Sequence, residues 1–166
     1  AVIKDVEQAI VLVTPTDRLD ETITRLARVG FDNTLGYLEG SFKSWQNAGK
    51  GFDTIDTISA KDLKSKLKSN DTEVFDVRKD TEFYAHRIPS AKNTPLDFLN
   101  DHLVEFPEDK SFFVHCAGGY RSVIAGSILK SRGIHNFVDI TGGFKAIEAA
   151  EIKLTDYVCP STMPSK

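Results

Sequence analysis

Phe112-Phe113-Val114-His115-Cys116-Ala117-Gly118-Gly119-Tyr120-Arg121-Ser122 is the stretch from which the rest of the chain can be read. An apolar run of strand type stops at a cysteine. Two glycines and an arginine follow, and Val123 to Lys130 has the apolar spacing of a helix. Cys116 therefore stands where a strand hands over to a helix. A loop at such a junction turns several backbone N–H groups inward, and the helix N-terminus adds partial positive charge. Both favour an anion at the loop centre. A thiolate is such an anion, and amides with a nearby arginine draw a cysteine pKa down from about 8.5. Gly118 and Gly119 are expected to supply positive φ and close backbone approach. A small buried thiol at a strand end would account for Cys116 alone. It would not account for two glycines and an arginine at that spacing.

The surrounding composition limits the options. The chain has 166 residues, 40% hydrophobic and 27% charged, which fits one ordinary domain or a domain plus a fragment. A net charge of −3 gives no electrostatic case for nucleic acid or an anionic membrane. No apolar run is long enough to span a bilayer, and no signal peptide is evident. Cys116 and Cys159 do not make a disulfide framework, so a cytoplasmic setting is expected. Because the sequence opens on Ala1, it is expected to derive from something longer.

Strands alternate with helices on either side of Cys116. Glu73 to Val77 reads as a buried strand, closed by Asp76-Val77-Arg78, and Thr81-Glu82-Phe83 starts a short helix. Ser59 opens a helix carrying Leu63 and Leu67, with Asp62 completing a capping box. Pro95 suits the first turn of a helix holding Leu96, Leu99 and Leu103. This alternation indicates a parallel α/β sheet. At the N-terminus, Ile10 to Val13 reads as a strand. Asp17 is placed to cap a helix with Leu19, Ile23 and Leu26, Gly30 closes that helix, and Thr34 to Leu38 reads as a second strand. This order repeats that of 112–147, with Gly30 matching Gly133 and Phe42 matching Phe144. No thiol exists in 1–50, where Pro15 or a neighbour stands at the cysteine position.

The loop resembles the active-site loop of rhodanese (sulfurtransferase) domains, in which Cys-x4-Arg-like loops carry a persulfide. Protein tyrosine phosphatases use a longer Cys-x5-Arg loop. The resemblance extends over 57–152. The family pattern is matched by Asp76-Val77-Arg78, Glu82-Phe83, Ile88, Ala91, Asn93, Pro95 and Gly142-Gly143-Phe144. His86-Arg87 and Ser90 depart from it. The wording Cys-Ala-Gly-Gly-Tyr-Arg-Ser looks like the C-terminal part of fusions with a metallo-β-lactamase-like domain, whose partner activity is often persulfide dioxygenation.

The expected architecture is thus an α/β rhodanese-like domain at 57–152, a parallel sheet flanked by helices. It is preceded by a degenerate half unit at 1–50 and a linker at 51–56, and followed by a tail at 153–166. The resemblance implies Cys116 as nucleophile and persulfide carrier. Ala117, Gly118, Gly119, Tyr120, Arg121 and Ser122 form the cradle, and Asp76, Arg78 and Glu82 support it. Arg121 is expected to brace the loop through Asp76 or Glu82. Neither metal nor organic cofactor is implied. The partners are a small sulfur donor (thiosulfate, polysulfide or a persulfide) and a thiol, sulfite or cyanide acceptor, with a fused upstream domain. The histidines read as structural, with His115 placed to tune the loop, and Cys159 reads as a tail residue. The apolar set Ile10, Val11, Leu12, Val13, Leu26, Leu35, Phe42 and Trp45 is expected to be buried, by docking on 57–152 or by self-association. The alternatives are a sulfur-carrier or regulatory module without turnover and, on a related fold, phosphatase or arsenate reductase chemistry.

Overall fold

The computed structural model describes residues 3, 5–69, 71–159 and 161, and the chain divides into two compact units, up to Thr54 and from Ile55. In the first unit, β1 (Ile10–Leu12) leads through a 3-10 turn at Thr16–Arg18 to α1 (Leu19–Ala27), then β2 (Thr34–Tyr37) and α2 (Ser41–Asn47). Strands β1 and β2 pair in parallel, as a strand–helix–strand unit requires. Asp17 does not cap α1. The extra turn moves the helix start past it, Arg18 takes the cap position, and no side chain bonds the free amides. The apolar set is not buried as expected. Leu12 is buried, but Val11, Val13, Leu35, Phe42 and Trp45 are exposed. A two-stranded sheet has too little area to cover its own faces. Trp45 is held locally, its Nε1–H donating to the Gly51 carbonyl at 2.8 Å.

The second unit is a five-stranded, all-parallel sheet. Its strands are β3 (Thr57–Ile58), β4 (Val74–Asp76), β5 (Lys92–Asn93), β6 (Phe112–His115) and β7 (Phe137–Ile140), ordered β3-β7-β6-β4-β5. The helices are α3 (Ala60–Lys66), α4 (Asp80–Ala85), α5 (Tyr120–Ser131) and α6 (Gly143–Ala149). Ser59 caps α3 as its capping box predicts, accepting from the Asp62 amide at 3.2 Å. Strand alternation separates two apolar clusters. Phe75, Phe112, Val114 and Phe137 pack with Ala125 and Leu129 of α5 on one face. Val74, Phe113 and Ile140 pack with Leu63 of α3 and Ile147 of α6 on the other. Burying each large side chain contributes about 1.5–3 kcal/mol. Both faces are covered, so the central strands read as unbroken apolar runs. Gly126 lets α5 lie close on β7, since a Cβ there would sit 2.9 Å from the Phe137 ring.

The segment Leu96–Glu105 departs from the sequence reading: it is 3-10 helix with a kink at Phe98, not α-helix. Leu99 is buried there and Leu103 packs against the same cluster. No helix among the described residues is long and apolar enough to cross a membrane.

Candidate active site

Central strand β6 carries Cys116 to the sheet's carboxyl edge, where the chain turns into α5. Cys116 is only 1% exposed. Its Sγ accepts the Gly119 N–H at 3.1 Å. Burial is the largest single influence on the thiol and pushes its pKa up. The Ser122 hydroxyl and amide, with the amides of Gly118 and Gly119, outweigh burial and bring it below the ordinary thiol value.

The two glycines have different tasks. Gly119, at the cap of α5, has φ 100, a conformation natural to glycine. Gly118 does not adopt positive φ, and a Cβ there would meet nothing within 4 Å. The positive φ expected at Gly118 is therefore absent. One left-handed residue suffices to aim the amides inward.

A second element fixes the loop. The Phe144 N–H donates to the Cys116 carbonyl at 2.7 Å, and the Lys145 N–H to the Ala117 carbonyl at 3.1 Å. The free amides at the start of α6 thus hold the first two carbonyls of the loop. Such an approach needs glycine: a Cβ on Gly143, at φ 58, would lie 2.5 Å from the Cys116 oxygen. This close contact is what the Gly142-Gly143-Phe144 turn makes possible.

The supporting charges form two separate pairs. Arg121 forks onto Glu82, Nη1 to Oε2 at 2.6 Å and Nη2 to Oε1 at 2.8 Å. Glu82 also accepts the Lys79 amide at 3.2 Å, and its carboxyl is held below the usual range chiefly by Arg121. Asp76 does not serve Arg121. Its carboxylate receives Arg78 Nε at 2.9 Å and Nη2 at 2.6 Å, with both side chains buried. Arg78 also donates to the His86 carbonyl at 2.8 Å, and its guanidinium lies 3.7 Å from the Phe144 ring centroid. Because Arg78 uses the main chain of His86, the departure at His86-Arg87 leaves this support intact. Tyr120 is 81% exposed at the loop rim.

Two further buried polar residues lie on β6 and β7; the sequence reading places His115 to tune the loop and passes over Asp139. His115 points its Nδ1 at the Cys116 carbonyl, 3.2 Å away, so Nδ1 carries the proton. Burial pushes its pKa down, keeping the ring neutral, and Nε2 has no hydrogen-bond partner. Asp139 of β7 is 4% exposed, and its Oδ1 likewise has no partner. A carboxylate within the apolar run Phe137-Val138-Asp139-Ile140 was the available sequence signal. Elsewhere, a surface groove lined by Lys64, Leu67, Lys68, Ile88 and Ile152 shares no residue with the loop.

Residues 59–150 match the family model described as "Rhodanese-like domain". The uncharacterized protein YqhL of Bacillus subtilis is 33% identical over 73 residues, 44% of this chain and 58% of that protein. The chain spans about half the length of the first curated relatives it matches. A crystal structure of a rhodanese-related protein from Thermoplasma volcanium is similar at 30% identity and TM-score 0.55, over 60% of this chain and 97% of that one. The structure of a protein from Rhodopseudomonas palustris, described as a possible tyrosine phosphatase, is similar at 25% identity and TM-score 0.56, over 68% and 89%. With the family model covering more than half of its residues, the chain belongs to the rhodanese-like domain family.

Proposed function

We propose that the protein is a sulfurtransferase that moves sulfane sulfur through a persulfide on Cys116. The observation that carries this reading is the buried thiol receiving the Gly119 amide at 3.1 Å, with its pKa brought down by Ser122 and neighbouring amides. The Cys116 thiolate bonds to the outer sulfur of thiosulfate, polysulfide or a persulfide. The donor's S–S bond breaks, and its electrons leave with sulfite or a thiolate. An acceptor thiol, sulfite or cyanide then attacks the outer sulfur of the Cys116 persulfide and regenerates the thiolate, giving ping-pong kinetics. Two cysteines outside any disulfide suit a reducing compartment such as the cytoplasm.

Phosphate chemistry has in its favour the likeness to the R. palustris protein described as a possible tyrosine phosphatase. Against it stand the four-residue spacing and Arg121, whose two terminal nitrogens are already given to Glu82. Residues 1–50 are read as a half unit of the same design without a thiol, serving as scaffold and, through their exposed apolar side chains, in self-association. The loop wording supports attachment to a metallo-β-lactamase-like domain as the source of persulfide chemistry. A carrier without turnover remains the second reading, supported by the thiol-free copy of the design at 1–50.

Mass spectrometry after thiosulfate or polysulfide treatment is expected to show one added sulfur on Cys116, lost in Cys116→Ser. Sulfur on Cys159 with Cys116 bare would refute the assignment. Loading without release to any acceptor would favour the carrier, and hydrolysis of an aryl phosphate the phosphatase.

A further inference from the structure

The surface groove set apart from the Cys116 loop lies in the second unit and has a volume of about 430 Å³. Its floor is apolar. Ile88 and Ile152 are 2% and 6% exposed, and Leu67 is half-buried beside them. Its rim is basic. Lys64 belongs to α3, Lys68 follows just after that helix, and Lys153 lies in the segment beyond α6. All three lysines are exposed, and among the described residues no carboxylate lines the groove or forms an ion pair with them. By contrast, Lys92 and Lys110 each pair with Glu73.

Two features give the groove its shape. The Lys64 Nζ donates to the Ala150 carbonyl at 2.8 Å, tying α3 to the end of α6. Glu151 then takes φ 54, a left-handed conformation uncommon for a residue with a side chain, and the chain turns there into Ile152 and Lys153. The other end of α6 is the one that holds the Cys116 carbonyl through the Phe144 N–H. Seven helical residues separate the two ends by about 10 Å, so the groove is a site apart from the thiol.

We propose that this groove docks an acidic segment of a partner protein, with an aliphatic side chain against Leu67, Ile88 and Ile152 and carboxylates at Lys64, Lys68 and Lys153. Charge complementarity decides the occupant. On a chain of net charge −3, three uncompensated ammonium groups around an apolar floor make a local field opposite in sign to the whole. They stand on separate segments, which matches carboxylates spread along a peptide. A single carboxylate would leave two of them unpaired. Nothing in the proposal rests on the chemistry of Cys116.

The probe is a short peptide, capped at both ends, in which glutamate and leucine alternate. It is titrated into the full isotope-labelled chain and followed by amide NMR shifts. Saturable shifts are expected at Leu67, Ile88 and Ile152. The same peptide with glutamine for glutamate, or with serine for leucine, should bind about tenfold more weakly. Lys68→Glu combined with Lys153→Glu, both at exposed positions, should weaken the acidic peptide by about tenfold or more. Absent shifts, shifts centred on Ala117 to Ser122, or equal binding of the acidic and neutral peptides would overturn the proposal. Two other occupants would overturn it as well. Groove shifts that grow with the concentration of the protein alone assign the face to a second copy. Groove shifts with decanoate but not with the peptide assign it to a small amphipathic anion.

Discussion

Residues 10–47 and 112–149 trace the same local path with opposite outcomes. Each runs strand, helix, parallel strand, helix. The helices close alike: Phe31 N–H bonds Leu26 O and Ile134 N–H bonds Leu129 O, both at 3.0 Å, and Gly30 and Gly133 take φ 86 and 84. The second turns also agree. Gly40 and Gly142 have φ 73 and 79, and Ser41 and Gly143 both have φ 58. Yet β6 is buried along its whole length, whereas β1 has one buried residue. Only the C-terminal stretch has a thiol. Chain direction and turn geometry are shared by a stretch with a thiol and a stretch without one. The site requires, in addition, a loop clamped against the next helix and a sheet buried on both faces.

The largest effect should come from making the C-terminal turn like the N-terminal one. Gly143→Ala adds a Cβ 2.5 Å from the Cys116 oxygen at a left-handed φ. Loss of about 1–3 kcal/mol is expected by thermal denaturation, with sulfur loading of Cys116 falling sharply. Normal loading would show that the α6 clamp does not shape the cradle.

Next come the loop glycines. Gly119→Ala strains a residue at φ 100 and moves the amide that faces Sγ. Alkylation of Cys116 should slow by about tenfold, corresponding to about 1.4 kcal/mol. Gly118→Ala should stay close to wild type, having open space and no positive φ to lose. Equal losses at the two positions would contradict the division of labour described here.

Glu82→Gln tests the brace, a feature of the C-terminal unit alone. The folded-state pKa of Glu82 is depressed, chiefly by Arg121. Its stabilisation is therefore present above the ordinary carboxylate range and is lost as pH falls through the folded value. Wild type should be the more stable at neutral pH, and the two denaturation curves should converge in acid. A difference independent of pH would mean that charge is not what the pair contributes. The smallest effect belongs to Ser41→Gly. Relief of a left-handed serine, less the greater freedom of unfolded glycine, should raise stability by about 0.5–1 kcal/mol. A loss on denaturant titration would show that the Ser41 side chain holds the turn.

The buried centre of the C-terminal unit was legible because its chemistry is local. Apolar runs such as Val74–Phe75 and Phe112–Val114, leading to Asp76 and to His115-Cys116, announce strands covered on both faces. The edge strands Thr57–Ile58 and Lys92–Asn93 were not legible: two-residue, partly polar segments become strands only because β7 and β4 offer them partners. The same holds for the site. Cys116, Arg121 and the glycines declare themselves by spacing. Which acid Arg121 would choose depended on where α4 places Glu82. The surroundings of Asp139 and His115 depended on β7 and β4 lying beside β6, a pairing no local pattern records. Leu96, Leu99 and Leu103 have spacing that both helix types satisfy, so the kink at Phe98 stayed hidden.

The clamp on Cys116 and Ala117 and the amides turned toward sulfur are all main-chain groups. A receptor built from peptide bonds does not depend on which side chains its residues carry. Ala117 is half-buried, and Gly118 and Tyr120 are exposed, with no side-chain duty toward the sulfur. These three positions can be rewritten while the main-chain groups around the sulfur stay as they are, and they form the more exposed part of the loop. Under the proposed sulfur transfer, reactivity and choice of donor would be carried by different atoms of the same short loop, so that one could drift without dismantling the other.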